Sequence, residues 1–297
     1  TALEGDAGDI EIASNGTVYV TFGVRTSAGS IFKSTNDGES WTEITPETGA
    51  QRIEMASAPS EPNTIYAVAD GGPGQTDVLW FYRSENAGST WEEIAIPRYL
   101  DQDCSVSTNH FTRGQAFFDL ILGVHPERPD KVLVGGIDLH ASDDGGFNWR
   151  PISYWTGSFC DAYVHADQHA MAYRPGYPNE AIFGSDGGVS YSNDVGSSTN
   201  PNFETRVKGY NVTTFYAVAA ANEEKSNYFL AGAQDNGTQQ FTTAFLNETR
   251  EATGGDGAFC FIDQDNSDIQ ITSFVFNSYR VSQDGGKSFT VVSSDQS

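Results

Sequence analysis

The sequence predicts an all-β chain, a β-propeller of six four-stranded antiparallel blades, and three observations carry that prediction. One pattern, Ser-x-Asp/Asn-x-Gly-x-x-aromatic, recurs as "STNDGESW" from Ser34, "SENAGSTW" from Ser84, "SDDGGFNW" from Ser142 and "SQDGGKSF" from Ser282. Two degraded copies fill the gap, "SNDVGSST" from Ser192 and "AQDNGTQQF" from Ala233, so starts at 34, 84, 142, 192, 233 and 282 step by 50, 58, 50, 41 and 49 residues. Strand-length alternating segments flank the copies, and periodic helical runs are missing. A repeat of about 50 residues is the size of one four-stranded blade.

Each blade follows from its residues in turn. First and second strands are joined by a short polar turn, as in "RIEMASAP", "SEPN", "TIYAVAD" and again in "FDLILGVHP", "ERPD", "KVLVGG". Third strands such as "SIFKS", "WFYRS" and "YRVS" run into the repeated box, and fourth strands such as "WTEI", "WEEI" and "WRPI" leave it. Inside the box, Asn36, Asn86, Asp144, Asp194, Asp235 and Asp284 stand where an Asx side chain caps the backbone of a tight turn, and the glycine after them accepts positive φ. The boxes therefore read as architecture, with the aromatic placed to pack between neighbouring blades. The expected blades are residues 9 to 46, 51 to 97, 117 to 153, 168 to 208, 213 to 245 and 257 to 295, all in a single propeller domain over 1 to 297.

These boxes resemble the Asp-box, or BNR, repeats of sialidases, xyloglucanases and the sortilin ectodomain. The longer signatures "GQAFFDLILGVHPERPDKVLVGG", "VHADQHAMAYRP", "GSDGGVSYS", "AGAQDNGT" and "GGDGAFCFID" resemble those of large secreted bacterial Asp-box proteins, a family commonly labelled glycosyl hydrolase. The resemblance implies a propeller, a secreted or cell-surface location in a bacterium, and a sortilin- or xyloglucanase-like architecture. It does not by itself imply chemistry, because one fold serves many functions.

Composition narrows the partners. The chain has 297 residues with 40 acids against 16 bases, a net charge of -24, which excludes the basic footprint that nucleic acid requires. No apolar run approaches the roughly 18 residues of a membrane span, so membrane insertion is not expected. The chain starts at Thr1 without methionine or a signal-like segment and reads as a processed product or fragment of a longer secreted chain. Of the three cysteines, Cys104 and Cys160 fall in the connections that precede the first strands of neighbouring blades. A bridge between them, suited to an oxidising compartment, competes with two free thiols. Cys260 reads as a buried residue of the sixth first strand.

Candidate chemistry lies outside the boxes. In "VHADQHAMAYRP", His165, Asp167 and His169 alternate at the mouth of the fourth blade's first strand. Two readings compete, a site for Ca2+ or another divalent metal and a hydrogen-bonded polar plug. On an extended strand the outer two stand about 13 Å apart, too far for one ion to take all three. Aligning "GGDGAFCFIDQD" with "HADQHAMAYRP" sets Asp256 beside Asp167 as an acid pair for an inverting glycosidase, against the simpler reading of Asp256 as a turn cap. Asp263, Asp265 and Asp268 are spaced like calcium ligands but lack the glycine and terminal glutamate of an EF-hand loop. The long connections 98 to 116 and 154 to 167 carry Tyr99, Phe111, Tyr154, Trp155, Phe159 and Tyr163. Of these, Tyr154, Trp155 and Tyr163, with His165 and His169, form the expected ligand-binding rim.

A sialidase is disfavoured, because no arginine triad and no Phe-Arg-Ile-Pro-type start is present, and "QRIEM" at Arg52 is a poor substitute. The expectation is a secreted or cell-surface noncatalytic propeller that binds a polysaccharide or a cell-surface or secreted protein through its rim. The alternative is a xyloglucanase-like inverting glycosidase using Asp167 and Asp256.

Overall fold

The computed structural model describes residues 4 to 24, 27 to 72, 77 to 157, 160 to 209, 212 to 222, 227 to 242, 249 to 275 and 278 to 292. Phe159 lies outside them. The chain divides into two compact units, residues 1 to 206 and 207 to 297. Among the described residues no helix forms, and every long-range element is a strand.

The first unit holds four antiparallel sheets, each in strand order one to four. They are β1 (Ala7–Ile12), β2 (Val18–Phe22), β3 (Ser30–Ser34) and β4 (Thr42–Glu43); then β5 (Ile53–Ala58), β6 (Glu61–Asp70), β7 (Val78–Ser84) and β8 (Glu92–Glu93). The third sheet is β11 (Ile121–His125), β12 (Arg128–Gly135), β13 (Leu139–Ser142) and β14 (Arg150–Pro151), and the fourth β15 (Gln168–Arg174), β16 (Tyr177–Ser185), β17 (Gly188–Ser192) and β18 (Glu204–Thr205). Between the second and third sheets, the long connection contains a two-stranded ribbon, β9 (Arg98–Leu100) with β10 (Val106–His110). First strands of successive sheets adjoin, β1 with β5, β5 with β11 and β11 with β15.

The core of this unit lies between sheets. Period-2 alternation buries one face of each strand, as in β2, where Tyr19 and Thr21 are buried and Val18, Val20 and Phe22 are only partly so. Tyr19 and Ile31 of the first sheet pack with Ile53, Met55 and Trp80 of the second. Tyr66, Val68 and Phe81 meet Leu120, Leu122, Val132 and Val134 of the third, and Leu133 and Leu139 meet Phe183 of the fourth. Each such fully buried side chain contributes roughly 1.5–3 kcal/mol of hydrophobic stabilisation.

The boxes fold as turn chemistry requires. Ser142 Oγ donates to Asp144 Oδ1 at 2.8 Å and accepts from Gly146 N at 2.8 Å, while Asp144 Oδ1 accepts from Asn148 N at 2.9 Å. Ser34 with Asn36, Ser84 with Asn86 and Ser282 with Asp284 repeat that pattern. The fourth copy keeps the serine–aspartate bond but closes on Asn202 N, eight residues after Asp194, which is why its aromatic is displaced to Phe203. Box tryptophans lock the seams: Trp91 Nε1 donates to Ile44 O at 2.8 Å and Trp149 Nε1 to Ala95 O at 2.7 Å. Gly146 has φ of 93°, and a Cβ there would stand 2.4 Å from Ile94 Cδ1, so both conformation and seam packing demand glycine.

The second unit holds two sheets, β19 (Ala217–Ala220), β20 (Phe229–Gly232), β21 (Thr238–Phe241), β22 (Thr249–Thr253) and β23 (Cys260–Ile262), β24 (Gln270–Phe274), β25 (Ser278–Ser282), β26 (Thr290–Val292). The fifth sheet corrects the sequence reading twice. Gly232 pairs with Thr238, so "AQDNG" turns between its second and third strands, and Asp235 is not an Asp-box residue. Its fourth strand ends at Thr253, beyond the expected limit of 245. The physical reason is the missing serine: with Ala233 in its place no hydroxyl can bridge the aspartate to the turn N–H, so the spacing alone survives.

Candidate functional site

Backbone groups of the first strands in the first unit are met by side chains from the preceding sheet. Asp9 Oδ2 accepts from Met55 N at 2.9 Å, and Glu11 Oε1 accepts from Ser57 N at 3.0 Å. Arg52 reaches the following sheet in the same way but as a donor, through Nη1 to Phe118 O and through Nη2 to Leu120 O, both at 2.8 Å. The same guanidinium pairs with Glu54 at 3.3 Å. Burial raises the Glu54 carboxyl to about 8, the charge of Asp9 adds to the rise, and Arg52 only partly opposes it.

At one end of these strands the acids concentrate. Asp119, just before β11, is fully buried, and burial with the neighbouring Asp167 charge raises its carboxyl to about 9. Asp167, just before β15 with φ of 63°, is half-buried and is raised by desolvation and by Asp186, while the neighbouring Asp119 opposes the rise. Asp186 occupies the two-residue turn between β16 and β17, closed by the Ser185 and Gly188 pair. His169 Nε2 lies 2.6 Å from Asp186 Oδ1, and its ring meets Phe118 edge-on at 4.9 Å. His165 instead packs its ring over Gly187, where a Cβ would come within 2.2 Å. The ligand atoms of His165, Asp167 and His169 do not converge within 4.8 Å of one another, so the structure does not assemble that trio as a metal site. What assembles here is Asp167 with Asp119, Asp186 and His169.

Next to the acids, a cap forms from the ribbon and the connection after β14. Cys104 and Cys160 are joined by a disulfide. Trp155 Nε1 donates to Tyr99 Oη at 2.7 Å, and the Arg113 guanidinium lies 4.6 Å from the centre of the Tyr99 ring. Trp155 and Tyr163 stay 38% and 43% exposed. Tyr154 does not belong to the binding surface: it is 1% exposed, its backbone tied to Ala162 O, and it faces inward like Phe111. Beneath the cap, Asp138 accepts from Ser153 Oγ at 3.5 Å and is held well above the usual carboxylate range by burial.

In the second unit, Asp256 Oδ1 accepts from Asp235 N at 3.0 Å and so caps the 233 to 237 turn. Asp263 Oδ1 accepts from Asp265 N and Asn266 N, at 2.8 and 2.9 Å, and Asn266 Oδ1 from Asp268 N, which makes the 263 to 268 segment a pair of Asx turns. Cys260 lies on β23 as expected but is half-buried rather than buried, with Sγ 3.4 Å from Leu230 O.

Asp119 and Asp186 were absent from the sequence-based candidates. A signal existed: an acid stands just before the first strand in Asp119, Asp167 and Asp256, and another in the turn between second and third strands in Asp138, Asp186 and Asp235. Aligning strands rather than boxes exposes both rows.

The family model Sortilin-Vps10, described as "Sortilin, neurotensin receptor 3", matches residues 29 to 280. No curated protein matches the chain in sequence. Among solved structures, a GH74 xyloglucanase from Xanthomonas campestris is similar at 17% identity and a TM-score of 0.49, over 98% of this chain and 46% of that one. The chain thus spans less than half of that enzyme's length. YCF48 bound to D1 peptide is similar at 11% identity and a TM-score of 0.42, over 97% of this chain and 80% of that one. Saccharomyces cerevisiae Sqt1 is similar at 10% identity and 0.43, over 96% and 72%.

Proposed function

The chain belongs to the Sortilin-Vps10 family, and from that premise we propose that it is a noncatalytic binding or assembly propeller, its six four-stranded sheets serving as blades, that recognises a glycan or a protein partner at the cap of its first unit. The observation that carries this reading is the condition of Asp167. An inverting glycosidase separates its two carboxyls by about 6.5–9.5 Å to admit a water. Asp167 instead has an oxygen within 4.8 Å of one of Asp186 and stands beside the buried Asp119 carboxyl. Its sequence-based partner Asp256 is occupied in capping a turn.

What remains available for recognition is aromatic. Trp155 presents part of its face while Tyr99 holds its N–H, and the Cys104–Cys160 disulfide ties the two halves of the cap. A fixed aromatic face loses little entropy on stacking against a sugar or a partner side chain. The disulfide suits a secreted or cell-surface location.

Retention on immobilised plant, algal and microbial polysaccharides, and on surface-protein extracts, tests the reading with wild type and Trp155→Ala. We expect at least a tenfold loss of retention in Trp155→Ala with the fold intact by circular dichroism. Equal retention by both proteins would remove the cap from recognition.

A further inference from the structure

We propose that a cleft between the fifth and sixth sheets, inside the second unit, binds the oxyanion of a small acidic ligand, a carboxylate or a sulfate, through Arg250, Arg280 and Lys287. The inference is independent of what the cap of the first unit recognises.

The cleft has a volume of about 410 Å3. It is lined on one side by Arg250 and Glu251 of β22, and on the other by Arg280 of β25 with Lys287, Ser288 and Phe289 of the sixth box. Small-molecule sites run from roughly 300 to 1,000 Å3, so this one is large enough for a ligand of that kind. The box aromatic bears on why a cleft stands here. At two seams of the first unit the box supplies tryptophan, and Trp91 Nε1 and Trp149 Nε1 each donate to a carbonyl of the preceding sheet. The sixth box supplies Phe289, whose ring has no N–H to donate, so this seam is not fastened in that way.

The charge in the cleft runs against that of the chain. The chain has 40 acids against 16 bases, yet three bases and one acid, Glu251, line the cleft. Arg280 stands two residues before the box serine, the position that Phe32, Tyr82, His140 and Ser190 hold in the other box-bearing sheets. Across the strands from that position stand Glu43 and Glu93 in the first two sheets, whereas Arg280 pairs with Val291 and so gains no acid neighbour there. Among the described residues the side chains of Arg280 and Lys287 make no ion pair or hydrogen bond. Arg250 gives Nη2 to Gly286 O. Asp284, the carboxylate of the same box, is engaged by Ser282 Oγ, Ser288 N and Ser288 Oγ. Guanidinium forks and an ammonium hold the oxygens of a carboxylate or sulfate by charge-assisted hydrogen bonds. A polyanion would be repelled by the net charge of -24, but one acidic group inside a cleft answers chiefly to cations within a Debye length, about 8–10 Å.

Isothermal titration of the whole chain with digalacturonate and with glucose 6-sulfate, each beside neutral cellobiose, tests the proposal. We expect one site per chain for at least one of the two anions, no binding of cellobiose, and weakening as NaCl is raised. The tighter of the two anions identifies the ligand as a carboxylate or a sulfate ester. Arg280→Gln combined with Lys287→Gln should weaken binding by about tenfold or more. Lys208→Gln, which removes an exposed cation of the same unit outside the cleft, should leave binding unchanged. Should the double variant fail to fold by circular dichroism, Lys287→Gln takes its place, since that side chain is exposed in the box turn, and a severalfold weakening is expected. Failure of wild type to bind either anion at millimolar concentration overturns the proposal. Binding that the charge-removing variants leave unchanged overturns it too, as does cellobiose binding as tightly as the anions.

Discussion

The box turns and the acid-rich ends of the first strands use the same residue type to opposite effect. In the boxes, aspartates sit near solvent and are satisfied by donors a few residues away. The Ser288 side chain and backbone N–H, with Ser282, hold the Asp284 carboxyl well below the usual range. At the strand ends, Glu54, Asp119 and Asp167 are removed from water, have few or no local donors, and are all raised. The first arrangement makes a stable turn without distant help. The second holds destabilised carboxyls in place only because the surrounding sheets are already formed, which is the condition under which groups are kept for binding rather than for folding.

Three predictions sharpen that contrast. The largest effect is expected for Arg52→Ala, which strips donors from two carbonyls of another sheet and leaves Glu54 without its cation. A loss of about 2–4 kcal/mol in urea unfolding is expected. A loss under about 1 kcal/mol would mean that the strand-end network contributes little to the fold.

The next effect is a pH dependence. Glu54 is raised in the folded protein from 4.5 to about 8, so the folded state binds the extra proton. Its stabilising contribution is complete below pH 4.5, falls as pH rises, and is gone once pH passes about 8. Unfolding midpoints should therefore drop between those limits, by at most about 1.4 kcal/mol per pH unit for this group. Glu54→Gln should flatten the profile, and an unchanged slope in that variant would exclude Glu54 as its source.

The smallest effect belongs to the boxes. Ser142→Ala removes a buried hydroxyl that serves Asp144 and Gly146 N, and a loss of about 1–2 kcal/mol is expected from chemical denaturation. The same change at Ser34, a box of equal geometry, should cost a similar amount, and a severalfold difference between them would break the equivalence of the repeats.

The same contrast explains what could be read from the sequence. The box bonds between Ser142, Asp144, Gly146 and Asn148 close within six residues, so spacing alone reveals them. Arg52 meets Phe118 across 66 residues, and Asp119 meets Asp167 from a different sheet, so no local pattern points to either contact. Asp235 marks the limit of local spacing: it stands at box spacing without a box serine, and the pairing of Gly232 with Thr238 puts it between second and third strands. Tyr154 shows the same limit from the other side, because alternation along one connection decides whether an aromatic faces the solvent or the core.

Reducing-end release from a panel of polysaccharides, measured for wild type beside Asp167→Asn, tests the noncatalytic reading most directly. The account predicts no release by either protein from any substrate that the wild type retains. Release by wild type that Asp167→Asn abolishes would contradict it and make Asp167 a catalytic residue.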